Sequence, residues 1–95
     1  MAKQHELKIL PDFFEEIISG RKTYEIRSCM DRDFQKDDTV ILLCLDKGYS
    51  GRTDGRSAEF KITHVLSGEH WGIKDGYAIL SLKPVNDKYP KHVPQ

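Results

Sequence analysis

The stretch Gly20-Arg21-Lys22-Thr23-Tyr24-Glu25-Ile26-Arg27 carries most of what this chain discloses about its fold. A glycine, two cations, a hydroxyl, a carboxylate and a further arginine fall within it. Read as extended from Lys22 to Ser28, its side chains alternate between two faces. Tyr24 and Ile26 then share one face, and Thr23, Glu25 and Arg27 the other. A polar stripe of acid, base and hydroxyl beside an apolar one is the pattern of a strand lining a cleft. The plainer reading is a solvated edge strand with a surface ion pair of little energetic weight.

Working outward, a helical pattern precedes the stretch. Pro11 suits a first helical turn, where its missing donor costs least, and Asp12, Glu15 and Glu16 favour the positive helix start. Phe13, Phe14, Ile17 and Ile18 fall on one face at helical spacing. Gly20 is the expected C-terminal cap. Glu6 to Ile9 reads as a short first strand. After the stretch, Cys29 to Asp38 reads as a polar loop. The continuous apolar run Val40 to Leu45, opened by Thr39, predicts a strand buried on both faces, Leu43 included. Asp46 to Arg56, with three glycines, reads as a hairpin connection. In the strand Ser57 to Leu66, Ala58, Phe60, Ile62, His64 and Leu66 share one face. Ser67 to Asp75 is a loop holding the only tryptophan. Tyr77 to Leu82 closes the pattern, and the proline-bearing segment 84–95 is expected to be disordered.

Ninety-five residues give one domain, assigned to 3–83, with a single modest core. Fifteen basic and fifteen acidic side chains cancel, so no global field favours nucleic acid, and any such binding needs a local patch. The segment Met1 to Leu7 lacks a hydrophobic leader and no run is long enough to cross a bilayer. Cytoplasm is the expected compartment. Cys29 and Cys44 fit no metal spacing, and His5, His64, His70 and His92 form none either. No metal or cofactor is expected, and the thiols are expected reduced and inert. One helix and roughly five strands without a βαβ rhythm predict α+β or a small barrel. Periodicity alone does not separate a barrel from an open sheet.

The residues Gly20-x-Lys22-x-x-Glu25-x-Arg27 after a helix resemble the signature of the ASCH domain. Further matches are His5 to Pro11, Phe14, Asp31 to Gln35, Tyr49 to Arg52 and Gly76 to Ser81, which resemble a small bacterial and phage branch of that superfamily. The resemblance implies an α+β fold, a small PUA-like mixed β-barrel of about five strands with one helix packed at its side. It also implies a cleft between barrel and helix, lined by Lys22, Glu25 and Arg27. A lysine there can contact a phosphate or base oxygen, and a carboxylate can accept from an exocyclic amine. The expected partner is therefore RNA or a nucleotide-like small molecule, bound by a monomer that touches no membrane.

Some small ASCH proteins resemble amidohydrolases acting on N4-acetylcytidine through a lysine, a threonine and a distant glutamate. Lys22 matches the lysine, but Glu25 stands in the threonine position. Thr23 is two residues earlier, and no glutamate matches by motif, although Glu59 and Glu69 are available. A hydroxyl nucleophile needs a positioned base. Hydrolysis of a modified nucleoside is the alternative reading, and a protein-interaction module a third.

Secondary candidates lie on loops. Arg32, between Asp31 and Asp33, could present its fork of donors to a phosphate or clamp its own loop, with Phe34 expected in the core. Tyr49, Arg52 and Arg56 could stack on bases or simply solvate a hairpin tip. Trp71 is expected to cover one end of the barrel, and His64 to be a satisfied core group. Where the family reads Gly-Asp, this chain has Asp37-Asp38. A left-handed turn there would fall on Asp37, which tolerates it better than most residues.

Overall fold

A computed structural model of the chain describes residues 2–48, 50–67 and 71–86. Five strands and one helix follow in the order β1 (Gln4–Ile9), α1 (Pro11–Ile18), β2 (Tyr24–Ser28), β3 (Thr39–Leu45), β4 (Thr53–Ser67) and β5 (Tyr77–Pro84). They form one mixed sheet in spatial order β1-β3-β4-β5-β2. β1 runs parallel to β3, and every other pairing is antiparallel. The sheet curls into a half-barrel whose two outermost strands are β1 and β2. The seam between them is bridged by a side chain: Arg27 Nη2 of β2 donates to the Lys8 carbonyl of β1 at 2.8 Å. Residues 87–95, most of the expected tail, lie outside the described residues, and β5 itself runs through the buried Pro84.

Alternation sets the core. Leu7 and Ile9 of β1, Val40, Leu42 and Cys44 of β3, Ala58, Phe60 and Ile62 of β4, and Ala78, Leu80 and Leu82 of β5 are all buried. β3 is not buried on both faces, as its continuous apolar run suggested. Leu42 is fully buried, whereas Leu43 belongs to the half-covered face. An apolar run reports hydrophobicity on both sides of a strand, and here only one side has a layer packed on it.

The helix docks with Phe14, Ile17 and Ile18 buried. Phe13, expected beside them, is 48% exposed. Gly20 ends the helix at φ +83° with its N–H on the Ile17 carbonyl at 3.1 Å, the left-handed cap that glycine accepts at no steric cost. Glu15 of the helix and Arg56 of β4 fasten the two layers at 2.5 Å. Arg56 also meets Asp54 at 2.9 Å, donates to Cys44 Sγ at 3.3 Å, and lies over the Phe14 ring. It is a clamp between helix and sheet, not a hairpin-tip residue. The hairpin connection is shorter than expected because β4 already starts at Thr53.

A bulge in β4 overturns the reading of His64. Ile62 pairs with Leu82, but His64 pairs with Ser81, so Thr63 is an extra residue. The parity flips there: Val65 turns toward the core and His64 is exposed. Trp71, expected to cover one end of the barrel, is instead 69% exposed. Cys29 and Cys44 are both free thiols.

Candidate functional site

β2 is extended as expected, and its pairing fixes the direction of each face. Its register sets Glu25 opposite Leu80 and Arg27 opposite Ala78, both core residues. The polar stripe therefore faces inward, and the apolar stripe, Tyr24 and Ile26, faces solvent. Glu25 is only 5% exposed. Burying a carboxylate is costly unless it is paired and hydrogen-bonded, and here both oxygens are engaged. Lys22 Nζ donates to Oε1 at 2.5 Å, and Arg27 Nε donates to Oε2 at 2.8 Å. One acid between two cations leaves this cluster one positive charge in excess.

Two aromatic rings complete the surroundings of Lys22. Its ammonium lies 4.6 Å from the Tyr24 ring centroid and 5.5 Å from that of Phe13, and donates to the Tyr24 carbonyl at 2.6 Å. The loop holding it is tied to the helix, because Lys22 N–H reaches the Glu16 carbonyl at 3.0 Å. The outcome is a cleft of about 530 Å³ between α1, the end of β1 and β2. Lys22, Glu25 and Arg27, with Lys8 and Ser28, supply its polar groups, and Leu10, Phe13, Tyr24 and Ile26 its exposed apolar rim.

Of the residues singled out from sequence, Lys22, Glu25 and Arg27 converge. Thr23 does not line this cleft: it precedes β2, is exposed, and its carbonyl accepts from Leu82 N–H at 2.9 Å. Arg32 lines an adjacent cleft of about 450 Å³ that shares Lys8, Arg27 and Ser28 as a common wall. Arg52 is exposed on the β3–β4 connection and lines neither cleft. Tyr49 lies outside the described residues. Phe13, which helical spacing places with the core, instead sets its ring at the cleft rim. A larger concavity of about 640 Å³ runs under the loop 29–35 and includes Cys29, Asp31 and Asp33. Among the described residues no group of His, Cys, Asp and Glu side chains is placed to hold a metal ion.

The chain has a second buried carboxylate. Asp38 is 1% exposed and accepts from Lys3 N–H at 2.9 Å, from Gln35 N–H at 3.0 Å, and meets His5 Nε2 at 2.8 Å. Burial alone would raise its pKa, but the Lys3 amide, the His5 ring and the Gln35 amide together hold it below the ordinary value. The His5 ring packs against Phe34, which is buried as expected. Asp37 takes the left-handed conformation, φ +76°, at the place where the sequence suggested it. Cys44 is chemically quiet: burial first, and then its hydrogen bond with Asp54, push its thiol up to about 11.

Residues 4–82 match the family described as Domain of unknown function (DUF3850), and the chain belongs to that family. It is 35% identical over 71 residues to the "Uncharacterized 12.9 kDa protein in GpA 3'region" of Escherichia phage P2. That alignment takes in 75% of this chain and 62% of the phage protein, so the chain spans less than two thirds of that relative's length. No helix among the described residues is long and apolar enough to cross a membrane.

Proposed function

We propose that this DUF3850 chain is a cytoplasmic, monomeric PUA-like module of the ASCH type that binds RNA or a nucleotide-like ligand in the Lys22–Glu25–Arg27 cleft. The observation that carries the reading is the meeting of three charged side chains and two half-exposed rings around one concavity. Its volume lies within the roughly 300–1,000 Å³ range of small-ligand sites. A base stacked on Tyr24 or Phe13 would gain about 1–3 kcal/mol without regard to sequence. Lys22 and Arg27 then offer donors to a base carbonyl or phosphate, and Glu25 an acceptor for an exocyclic amine. The curled five-stranded sheet with one helix at its side supports the PUA-like assignment.

Hydrolysis of a modified nucleoside draws less support. Thr23 is outside the cleft, and both Glu25 oxygens already accept from cations, so no unengaged base sits beside a hydroxyl. Glu59 is exposed on β4 and lines neither cleft, and Glu69 lies outside the described residues.

The test titrates wild type, Lys22→Ala and Glu25→Gln with single nucleosides and short RNAs, and follows acetate release from N4-acetylcytidine by mass. Lys22→Ala should weaken binding about 10-fold or more, the value of a charge-assisted contact. Glu25→Gln should change base preference. Turnover by the wild type, reduced about 100-fold by Glu25→Gln, would replace this reading with the hydrolase. Absence of binding by a folded wild type would remove the cleft from consideration, and the apolar rim would then be tested for protein partners.

A further inference from the structure

Arg21, Lys22, Arg27, Arg56 and Lys61 each have an acidic partner within ion-pair distance. Lys8 and Arg32 are different. Among the described residues neither has a carboxylate partner, and each is held instead by a neutral main-chain oxygen. Arg32 Nη1 donates to the Glu6 carbonyl at 3.0 Å, and Lys8 Nζ donates to the Gly51 carbonyl at 3.3 Å. Arg27 shares the arrangement through its second arm, on the Lys8 carbonyl.

A neutral carbonyl fixes the direction of a guanidinium without cancelling its charge. Glu6 and Lys8 are two residues apart on β1, so the anchored ends of Arg32 and Arg27 are spaced about 6.6 Å along the strand, at ~3.3 Å per residue. All three cations line the seam cleft. Glu6 and Asp31 line it too, so its lining carries three cations and two carboxylates, with Arg27 also paired to Glu25. That composition suits one bridging phosphate and is too weak for a long backbone. The seam cleft and the aromatic cleft share Lys8, Arg27 and Ser28, so the two concavities meet at Arg27.

The geometry points to a phosphodiester subsite at the seam: Arg32, Arg27 and Lys8 grip the single phosphate that links a nucleotide stacked on Phe13 and Tyr24 to its neighbour in the strand. This rests on the binding reading above and sharpens it from a free nucleoside to a short single strand. Arg32 is the specific element. It does not line the ring-lined cleft and touches only the phosphate, so it adds affinity for a dinucleotide and none for a nucleoside. The planar fork of a guanidinium suits a phosphate oxygen pair, and the present carbonyl bond occupies only part of its five donors.

The test uses the full chain and three probes: adenosine and uridine, the dinucleoside monophosphates ApA and UpU, and the same dinucleosides joined by an uncharged methylphosphonate. Wild type should bind at least one dinucleoside monophosphate about 10-fold more tightly than its nucleoside, and the methylphosphonate should lose that gain. Arg32→Gln should lower dinucleotide affinity about 10-fold and leave nucleoside affinity within about 2-fold. Lys8→Gln should act in the same direction. The methylphosphonate probe keeps the question answerable even where a variant folds poorly. Equal affinity for nucleoside and dinucleotide, or no difference between charged and uncharged linkages, overturns the subsite while leaving the ring-lined cleft standing. Failure of every probe, nucleosides included, overturns both.

Discussion

Asp38 and Glu25 are both buried carboxylates, and they are buried in opposite ways. Asp38 is wrapped by two main-chain N–H groups and one histidine ring, drawn from β1, the residue just before it and the turn before β3. Every partner is local to the packing problem of joining β1 to β3, and no Lys or Arg side chain takes part. Glu25 is instead gripped by two full cations on a strand at the sheet's open edge. Its partners retain donors, and Lys22 sits between two exposed rings. The first arrangement closes on itself and serves the fold. The second leaves an excess charge at the mouth of a concavity, which is how a ligand site differs from a structural ion cluster.

That contrast breaks most visibly under mutation. Asp38→Ala removes the acceptor of the Lys3 and Gln35 amides and of the buried His5 ring. The expected cost is about 3–5 kcal/mol, as for breaking a buried pair from one side. Glu25→Gln keeps a carbonyl acceptor, and Lys22 and Arg27 each retain a main-chain carbonyl, of Tyr24 and Lys8, so its cost should be about 1–2 kcal/mol. Chemical denaturation of both variants decides the matter. A Glu25→Gln loss equal to that of Asp38→Ala would make Glu25 a structural residue and undercut the functional reading of the cleft.

The difference also explains what could be read in the sequence. Lys22, Glu25 and Arg27 are neighbours in the chain, so strand alternation alone brings two of them to one face, and only the direction of that face remained open. It was settled by pairing with β5, more than fifty residues away, as Glu25 facing Leu80 illustrates. The His5–Asp38 pair spans 33 positions and the Arg32–Glu6 contact 26. Neither leaves a local periodic trace. His64 failed for another reason: one extra residue at Thr63 reverses the parity of everything after it, and no composition signal marks a bulge. Phe13 misled because helical spacing groups it with Phe14, while the helix buries a stripe too narrow to include both. The left-handed turn at Asp37 was legible, because a backbone requirement acts at a single position.

A second effect, smaller than outright removal of Asp38, appears with acid. The folded-state pKa of Asp38 lies below its ordinary value of 3.8. A depressed carboxylate contributes stability that is present in full above its unfolded-state value and lost as pH falls through the folded one. Wild-type melting temperature should therefore fall as pH drops below about 4. In Asp38→Asn, which cannot titrate there, the fall should be shallower. The comparison is between the two slopes, each measured from pH 5 downward. Parallel slopes would mean that other carboxylates carry the acid sensitivity and that Asp38 is held less tightly than its three partners imply.

The smallest effect belongs to Asp37, whose backbone aims Asp38 at its partners. Its φ of +76° is a left-handed conformation, costing an L-residue roughly 1–2 kcal/mol and an aspartate less than that. Its N–H donates to the Ile62 carbonyl at 2.8 Å, and the Asp38 carbonyl receives Ile62 N–H at 2.8 Å, so the turn is docked through main-chain atoms. Its carboxylate contributes little, reaching Lys61 only at 3.6 Å with both side chains largely solvated. Asp37→Gly removes the steric cost and keeps both backbone bonds. It also gives the unfolded chain extra freedom, a loss of about 0.5–1 kcal/mol. The two contributions nearly cancel, so stability should shift by less than about 1 kcal/mol in either direction. A β-branched residue here cannot adopt the angle cheaply, and Asp37→Val should destabilise clearly more than Asp37→Gly under the same denaturation assay. Should Asp37→Gly instead approach the loss expected of Asp38→Ala, the side chain and not the backbone would be holding the turn. The closed, self-sufficient character assigned to the Asp38 cluster would then have to be given up.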